Sequence, residues 1–268
     1  MQTNAHTGTR IDEVAPGIYR INTPLRIDAI PGGFNLSQYL VVDVEPVVFH
    51  TGWRKWFPFV SEAISKVVPL DRIRHVGYSH FEGDEAGAMN EFLAAAPHAV
   101  PFASHVGLMT SLNDFADRPG RGLADGETFS TGRKTWQWID TPHVPHGWDC
   151  GVLFDRTTGT LLCGDLFTQA GAETAPVTES EILTASEAMR KPMDYYAHST
   201  KTAATLERLA SLNPRCSPAS TAVRFEATVP GCSVNSPGYS KTNSEPPSHE
   251  VCCCDHRPLS RSRGVPGR

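Results

Sequence analysis

Ser79-His80-Phe81-Glu82-Gly83-Asp84-Glu85-Ala86-Gly87 is the stretch on which the reading of the fold turns. The apolar run before it, Ile73 to Tyr78, has the length and content of a buried strand. After it, Met89, Phe92, Leu93 and Ala96 recur at helical spacing. The stretch is therefore a strand-to-helix turn. At an extended strand end His80 and Glu82 point the same way, and Asp84 falls where free helix N–H groups favour a carboxylate. So many acids gathered at one spot need either water or a cation to offset their repulsion.

Further candidate donors follow at strand ends. Thr141-Pro-His143-Val-Pro-His146 comes after a β-like run, Lys134 to Asp140. Leu161-Leu-Cys-Gly-Asp165 closes a hairpin of Gly151 to Asp155 and Thr160 to Cys163, which turns at Arg156 to Gly159. Three strand ends thus present His80/Glu82/Asp84, His146 and Asp165.

That order and spacing resembles the metallo-β-lactamase fold, and more narrowly the oxygen-binding di-iron domain of flavodiiron proteins, over roughly residues 10 to 214. The resemblance rests on H-x-E-x-D, a His about sixty residues on, and an Asp about twenty residues later. Glu82 is its specific part, since hydrolytic members of the superfamily carry His there. It implies an αββα sandwich, two mixed β-sheets flanked by helices. It also implies a first iron site of His80, Glu82, His146 and one oxygen of Asp165, and a second of Asp84 and the other oxygen of Asp165. Ligand chemistry agrees, because a carboxylate-rich site leans toward harder ions and toward iron, and a carboxylate can bridge two metals. The family's spacing picks His146 over His143 in their shared loop. His143 is the less favoured ligand, and otherwise a residue that orients a ligand or a polar loop residue.

Two departures from the pattern weaken the second site. The family usually has His directly after the motif Asp, where this chain has Glu85. Its last His, expected near Ala219 to Arg224, does not stand there. A strong first site and a weak or empty second one are expected, with Glu85 as a substitute donor.

The rest of the chain frames the motif. Met1 to Arg10 is polar and is expected to be flexible; residues 11–214 form the domain. Val14 to Asn22, Leu36 to Asp43 and Pro46 to His50 read as strands, and Lys55 to Val67 as a helix with Phe57, Val60, Ile64 and Val67 or Val68 inward. Ala99 to Ala103 reads as a short strand and His105 to Phe115 as a helix. Arg118 to Gly122 reads as a solvated loop, with an anion-touching loop as the alternative. Trp136 and Trp138 either pack in the core or wall the metal pocket. Thr178 to Met189 and Tyr195 to Leu212 read as helices, the second containing His198 with nothing acidic beside it. His50, His75, His98 and His105 are expected to be structural. Cys150 and Cys163 are expected to be reduced and buried.

The composition breaks at Arg215. From there to Arg268 there is one leucine and no isoleucine, and seven basic residues stand against four acidic ones in a chain of net charge -5. Residues 215–268 are expected to be mostly disordered and foreign to the fold, leaving its C-terminal part incomplete. A frameshift near Arg215 is one reading. A metal-binding tail at Cys252-Cys253-Cys254-Asp255-His256 is less favoured, because adjacent cysteines wrap a tetrahedral ion poorly.

Nothing in the charge suggests nucleic-acid binding, and no stretch is apolar enough to span a membrane or lead secretion, so a cytoplasmic protein is expected. Three functional readings follow. In the first, which the resemblance implies, a non-haem di-iron centre binds or reduces O2 or NO. Its electrons come from a flavin-dependent redox partner, because no flavodoxin domain follows; a homodimer is common in the resembled family. In the second, two zinc ions hydrolyse an ester, thioester or lactam, against which Glu82 argues. In the third, the protein is an inactive truncated homologue.

Overall fold

The computed structural model describes residues 1–178 and 180–214. The expected disorder of residues 215–268, the missing His near 219–224, the frameshift and the cysteine cluster all lie outside the described residues.

Strands β1 (Arg10–Ala15), β2 (Ile18–Leu25), β3 (Phe34–Val41), β4 (Val47–Phe49), β5 (His75–Gly77), β6 (Val100–Ser104) and β7 (Arg121–Leu123) form one sheet in that spatial order. Its first four strands are antiparallel and its last four parallel, so it is mixed. The second sheet runs β11-β10-β9-β8, from β8 (Thr128–Ser130), β9 (Thr135–Asp140), β10 (Gly151–Asp155) and β11 (Thr160–Leu162). Against the expectation of two mixed sheets, every pairing in it among the described residues is antiparallel, because its neighbouring strands are consecutive in the chain and joined without a crossover.

Helices complete the layers: α1 (Phe57–Ser65), α2 (Gly83–Ala86), α3 (Met89–Ala95), α4 (His105–Gly107), α5 (Asn113–Phe115), α6 (Leu183–Met193) and α7 (Thr202–Ser211). A π-helical stretch, Leu108–Leu112, joins α4 to α5. Strand alternation sorts the core. On β3, Leu36 and Leu40 pack with Val60, Ile64, Met89, Phe92 and Leu93 under the helices, while Tyr39 and Val41 face the second sheet. On β9, Trp136 and Trp138 face the first sheet with Leu153 and Leu162, whereas Ile139, Val152 and Phe154 pack toward Leu209 of α7. Both tryptophans are therefore core residues, and neither walls the pocket.

Several expectations are corrected. Val14 to Asn22 is two strands, because Pro16-Gly17 turns the chain with Gly17 at φ 71°. The first ten residues, expected to be flexible, fold back on β1: the Met1 amino group donates to the Ile11 carbonyl at 2.8 Å, and Thr9 is buried. Arg118 sits in neither a solvated nor an anion-binding loop. Its guanidinium donates to the carbonyls of Leu93, Ala96, Pro97 and Ala99, closing the end of α3, and Arg121 to Leu123 is a strand. The helices expected at Thr178 and Tyr195 start later, at Leu183 and Thr202. Tertiary hydrogen bonds hold the preceding backbone elsewhere: Gly171 and Ala172 donate to Gly33 and Gly32, and Arg20 donates to Thr174 and Ala175. His198 precedes α7 at φ 48° and pairs with Asp194 at 2.8 Å, so an acid does accompany it.

Asp43 clasps the sheets at one end. Its buried carboxylate accepts from the N–H groups of Val44, Arg133 and Lys134 and from Thr131 Oγ1, at 2.8 to 3.0 Å. Against the penalty of burial, these donors hold it well below the usual carboxylate range.

Candidate metal centre

The site forms where ends of both sheets meet. His80 and Glu82 follow β5 of the first sheet, His146 lies between β9 and β10, and Asp165 follows β11 of the second. Glycines make the approach close. A Cβ at Gly147 (φ 80°) would meet His80 Cβ at 3.3 Å, and one at Gly164 (φ 57°) would meet Ser79 Oγ at 3.0 Å.

His80, Glu82, His146 and Asp165 each turn one donor atom to a common point, all within 4.8 Å of one another. Nε2 of His80 and Nε2 of His146 are 3.0 Å apart. Glu82 Oε1 lies 3.1 Å from the His146 nitrogen and 3.6 Å from that of His80. Asp165 Oδ2 lies 3.4 Å and 3.6 Å from them. Donors bound about 2.0–2.2 Å from one ion, in tetrahedral or octahedral directions, stand roughly 2.8–3.6 Å from each other. The observed separations fall in that range, so these four residues fit a first-row divalent ion.

Hydrogen bonds on the far side of each ring fix which nitrogen is bare. His146 Nδ1 donates to the Tyr195 carbonyl at 3.1 Å, which leaves Nε2 with its lone pair. For His80 a relay does the same. The Ser37 backbone accepts from His50; His50 Nε2 accepts from Ser79 Oγ at 2.9 Å; Ser79 Oγ accepts from His80 Nδ1 at 2.9 Å. Two imidazole lone pairs thus face one another, an arrangement that needs a proton or a cation between them. Burial drives His50 down to about 3, so it stays neutral within the relay. Burial also lowers His80, but contacts with Cys150 and Glu82 and the charges of Glu85 and Asp165 outweigh it, and the group is raised. Contacts with His146 and His80 lower Glu82, while burial raises Asp165.

A second cluster adjoins the first: Glu82, Asp84 and Glu85 bring donor oxygens within 4.8 Å of one another. Glu82 is common to both groups. Asp165 meets Asp84 and Glu85 along the wall of a small cavity. His143 is exposed and joins neither group. His50 is structural as expected, yet it belongs to the relay. Ser79, Tyr195 and His50 are functional neighbours that sequence reasoning missed. Tyr195 holds the site twice, through its carbonyl to His146 and through its hydroxyl, which donates to the Asp165 carbonyl at 3.1 Å. Nothing local in the sequence marks these contacts. Cys150 and Cys163 are free and buried, as expected.

A family model described as "ODP family beta lactamase" matches residues 34–215, more than half of the chain. The chain belongs to the ODP family. Among curated proteins, the rubredoxin-oxygen oxidoreductase of Megalodesulfovibrio gigas is 28% identical over 171 residues, covering 63% of this chain and 42% of that protein. Among solved structures, a flavo di-iron protein from Thermotoga maritima superposes with a TM-score of 0.68 at 20% identity, over 78% of this chain and 55% of the other. Rubredoxin oxygen:oxidoreductase from Desulfovibrio gigas gives 0.67 at 23%, over 80% and 57%. The ODP chain thus has the metallo-β-lactamase-like fold of flavodiiron cores, and it spans less than half the length of the curated relative. Nothing in these likenesses supports the zinc alternative. No helix among the described residues is long and apolar enough to cross a membrane.

Proposed function

We propose that this protein holds non-haem iron at His80, Glu82, His146 and Asp165 and there binds or reduces O2 or NO, drawing electrons from a flavin-dependent redox partner. The observation that carries this reading is the pair of bare Nε2 atoms 3.0 Å apart, flanked by two carboxylate oxygens. Iron, when bound, supplies one-electron redox chemistry and an open position for a diatomic ligand. The chain's own residues supply the rest. His80 is 1% exposed and is held through Ser79, so its ring cannot swing out. His146 is pinned by the Tyr195 carbonyl. Glu82 is half exposed and marks the open side of the centre, from which a small ligand enters.

Two imidazoles and two carboxylates suit iron, and Glu82 makes a metal-bound water less acidic than imidazole would, which disfavours hydrolysis. The names of the relatives favour oxidoreduction in the same way. The family implies a cytoplasmic protein and a homodimer, and the domain is taken as residues 11–214. The test is metal analysis of protein from an iron-supplied host, with optical spectra before and after anaerobic reduction and addition of O2 or NO. Iron with a ligand-dependent band supports the reading. Stoichiometric zinc with esterase activity, or no metal and no band, overturns it.

A further inference from the structure

The second cluster has a chemistry of its own. Beside the four-donor group lies a cavity of about 20 Å³, lined by Asp84, Glu85, Asp165, His50 and their neighbours. That is room for one body about the size of a water molecule. Glu85 is only 3% exposed, and its Oε2 has no hydrogen-bond partner among the described residues. A sealed, unpartnered carboxylate oxygen is costly unless a proton or a cation meets it. Among the described residues no lysine or arginine forms an ion pair with Glu82, Asp84 or Glu85. The nearby imidazole is already spent, since His50 bonds Ser79 through Nε2 and the Ser37 backbone through its other nitrogen. Every donor left to this pocket is therefore oxygen.

Oxygen-only donor sets select hard divalent ions, whereas imidazole brings in iron and zinc. The small cavity disfavours calcium, which takes six to eight oxygens at about 2.3–2.6 Å. We propose that oxygens of Glu82, Asp84 and Glu85 form a site for a small hard divalent cation of the Mn2+ or Mg2+ class, so that the centre pairs its iron with a hard ion. The second iron implied by the di-iron names of the structural relatives does not fit this donor set. The inference rests on the iron reading only for the identity of the neighbouring ion.

Mn2+ is the probe, because the free ion has a six-line EPR signal that fades on binding. The full chain is titrated as wild type, Glu85→Gln and His146→Ala, with iron content measured on each. The wild type takes up one equivalent of Mn2+. Glu85→Gln keeps the shape, replaces one carboxylate oxygen by an amide nitrogen and retains iron, but weakens Mn2+ by at least about tenfold, since even outer partners of a metal site cost about 10–100-fold. His146→Ala loses iron and keeps Mn2+. No uptake by the wild type, an unchanged affinity in Glu85→Gln, loss of Mn2+ in His146→Ala, or a second iron that Mn2+ does not displace would each overturn the proposal. Iron-free wild type that still binds Mn2+ through Glu85 sinks the iron reading and leaves this one standing; iron without Mn2+ does the reverse.

Discussion

Ser79→Ala tests the relay that orients His80. The hydroxyl sits 2.9 Å from both His50 Nε2 and His80 Nδ1, and Ser79 is 1% exposed. Removing it leaves one donor and one acceptor without partners. The gap is a single hydroxyl oxygen, too small to hold a water that would bridge them. A buried unsatisfied polar group costs about 1–3 kcal/mol, so two cost about 2–4 kcal/mol with partial relaxation. Denaturant unfolding of the metal-free protein measures that loss. The ion is affected separately, because His80 can now flip tautomer and present N–H to the metal. Loss of an outer-shell partner lowers metal affinity about 10–100-fold, which is about 1.4–2.7 kcal/mol. Titration of Fe2+ against a chelator under anaerobic conditions reads this directly. If stability falls while metal affinity stays at the wild-type value, Ser79 holds the fold alone, and the assignment of a bare Nε2 through the relay is wrong.

His146→Ala abolishes iron retention, whereas His143→Ala, at an exposed position in the same loop, leaves it intact; metal analysis of the two purified variants decides between them. Metal loading depends on pH with a definite sign. His80 is raised in the metal-free protein, burial notwithstanding, so a proton competes with the ion for its Nε2. Affinity therefore climbs as pH rises, by up to about tenfold per unit while His80 is protonated, and calorimetry in buffers of different ionisation enthalpy should find protons released on binding. Asp43→Ala removes an acceptor of four short hydrogen bonds far from the centre, costing about 2–4 kcal/mol in unfolding while iron affinity is unchanged. Because the Asp43 carboxylate is lowered in the fold, its contribution is present above the ordinary carboxylate range and is lost as pH falls. Stability of the wild type and Asp43→Ala should therefore converge in acid.

The four candidate donors were legible in the sequence because each lies at a strand end, where a short motif fixes both spacing and direction. His80, Glu82, His146 and Asp165 converge as their spacing implied. The Gly151 to Leu162 hairpin was legible for the same local reason. What stayed hidden depends on contacts between distant segments. Ser79 and His50 are twenty-nine residues apart, and the spacing of the donor motif does not involve either. Tyr195 acts partly through its backbone carbonyl, which any residue could supply. The helix expected from Thr178 starts at Leu183, because residues 178–181 carry no apolar side chain and the chain before them is held by hydrogen bonds from Gly171 and Ala172 to Gly33 and Gly32. At Pro16-Gly17 a turn signal lay within an apolar run, and the run masked it.

Two of the four donors hang from one β-layer and two from the other. An ion held by all four would act as a rivet through the sandwich, tying layers that otherwise adhere through Phe49, Phe102, Trp136 and Trp138. Sliding one layer over the other would then stretch coordination bonds, so the colour of the loaded centre becomes a strain gauge for packing faults buried well away from it.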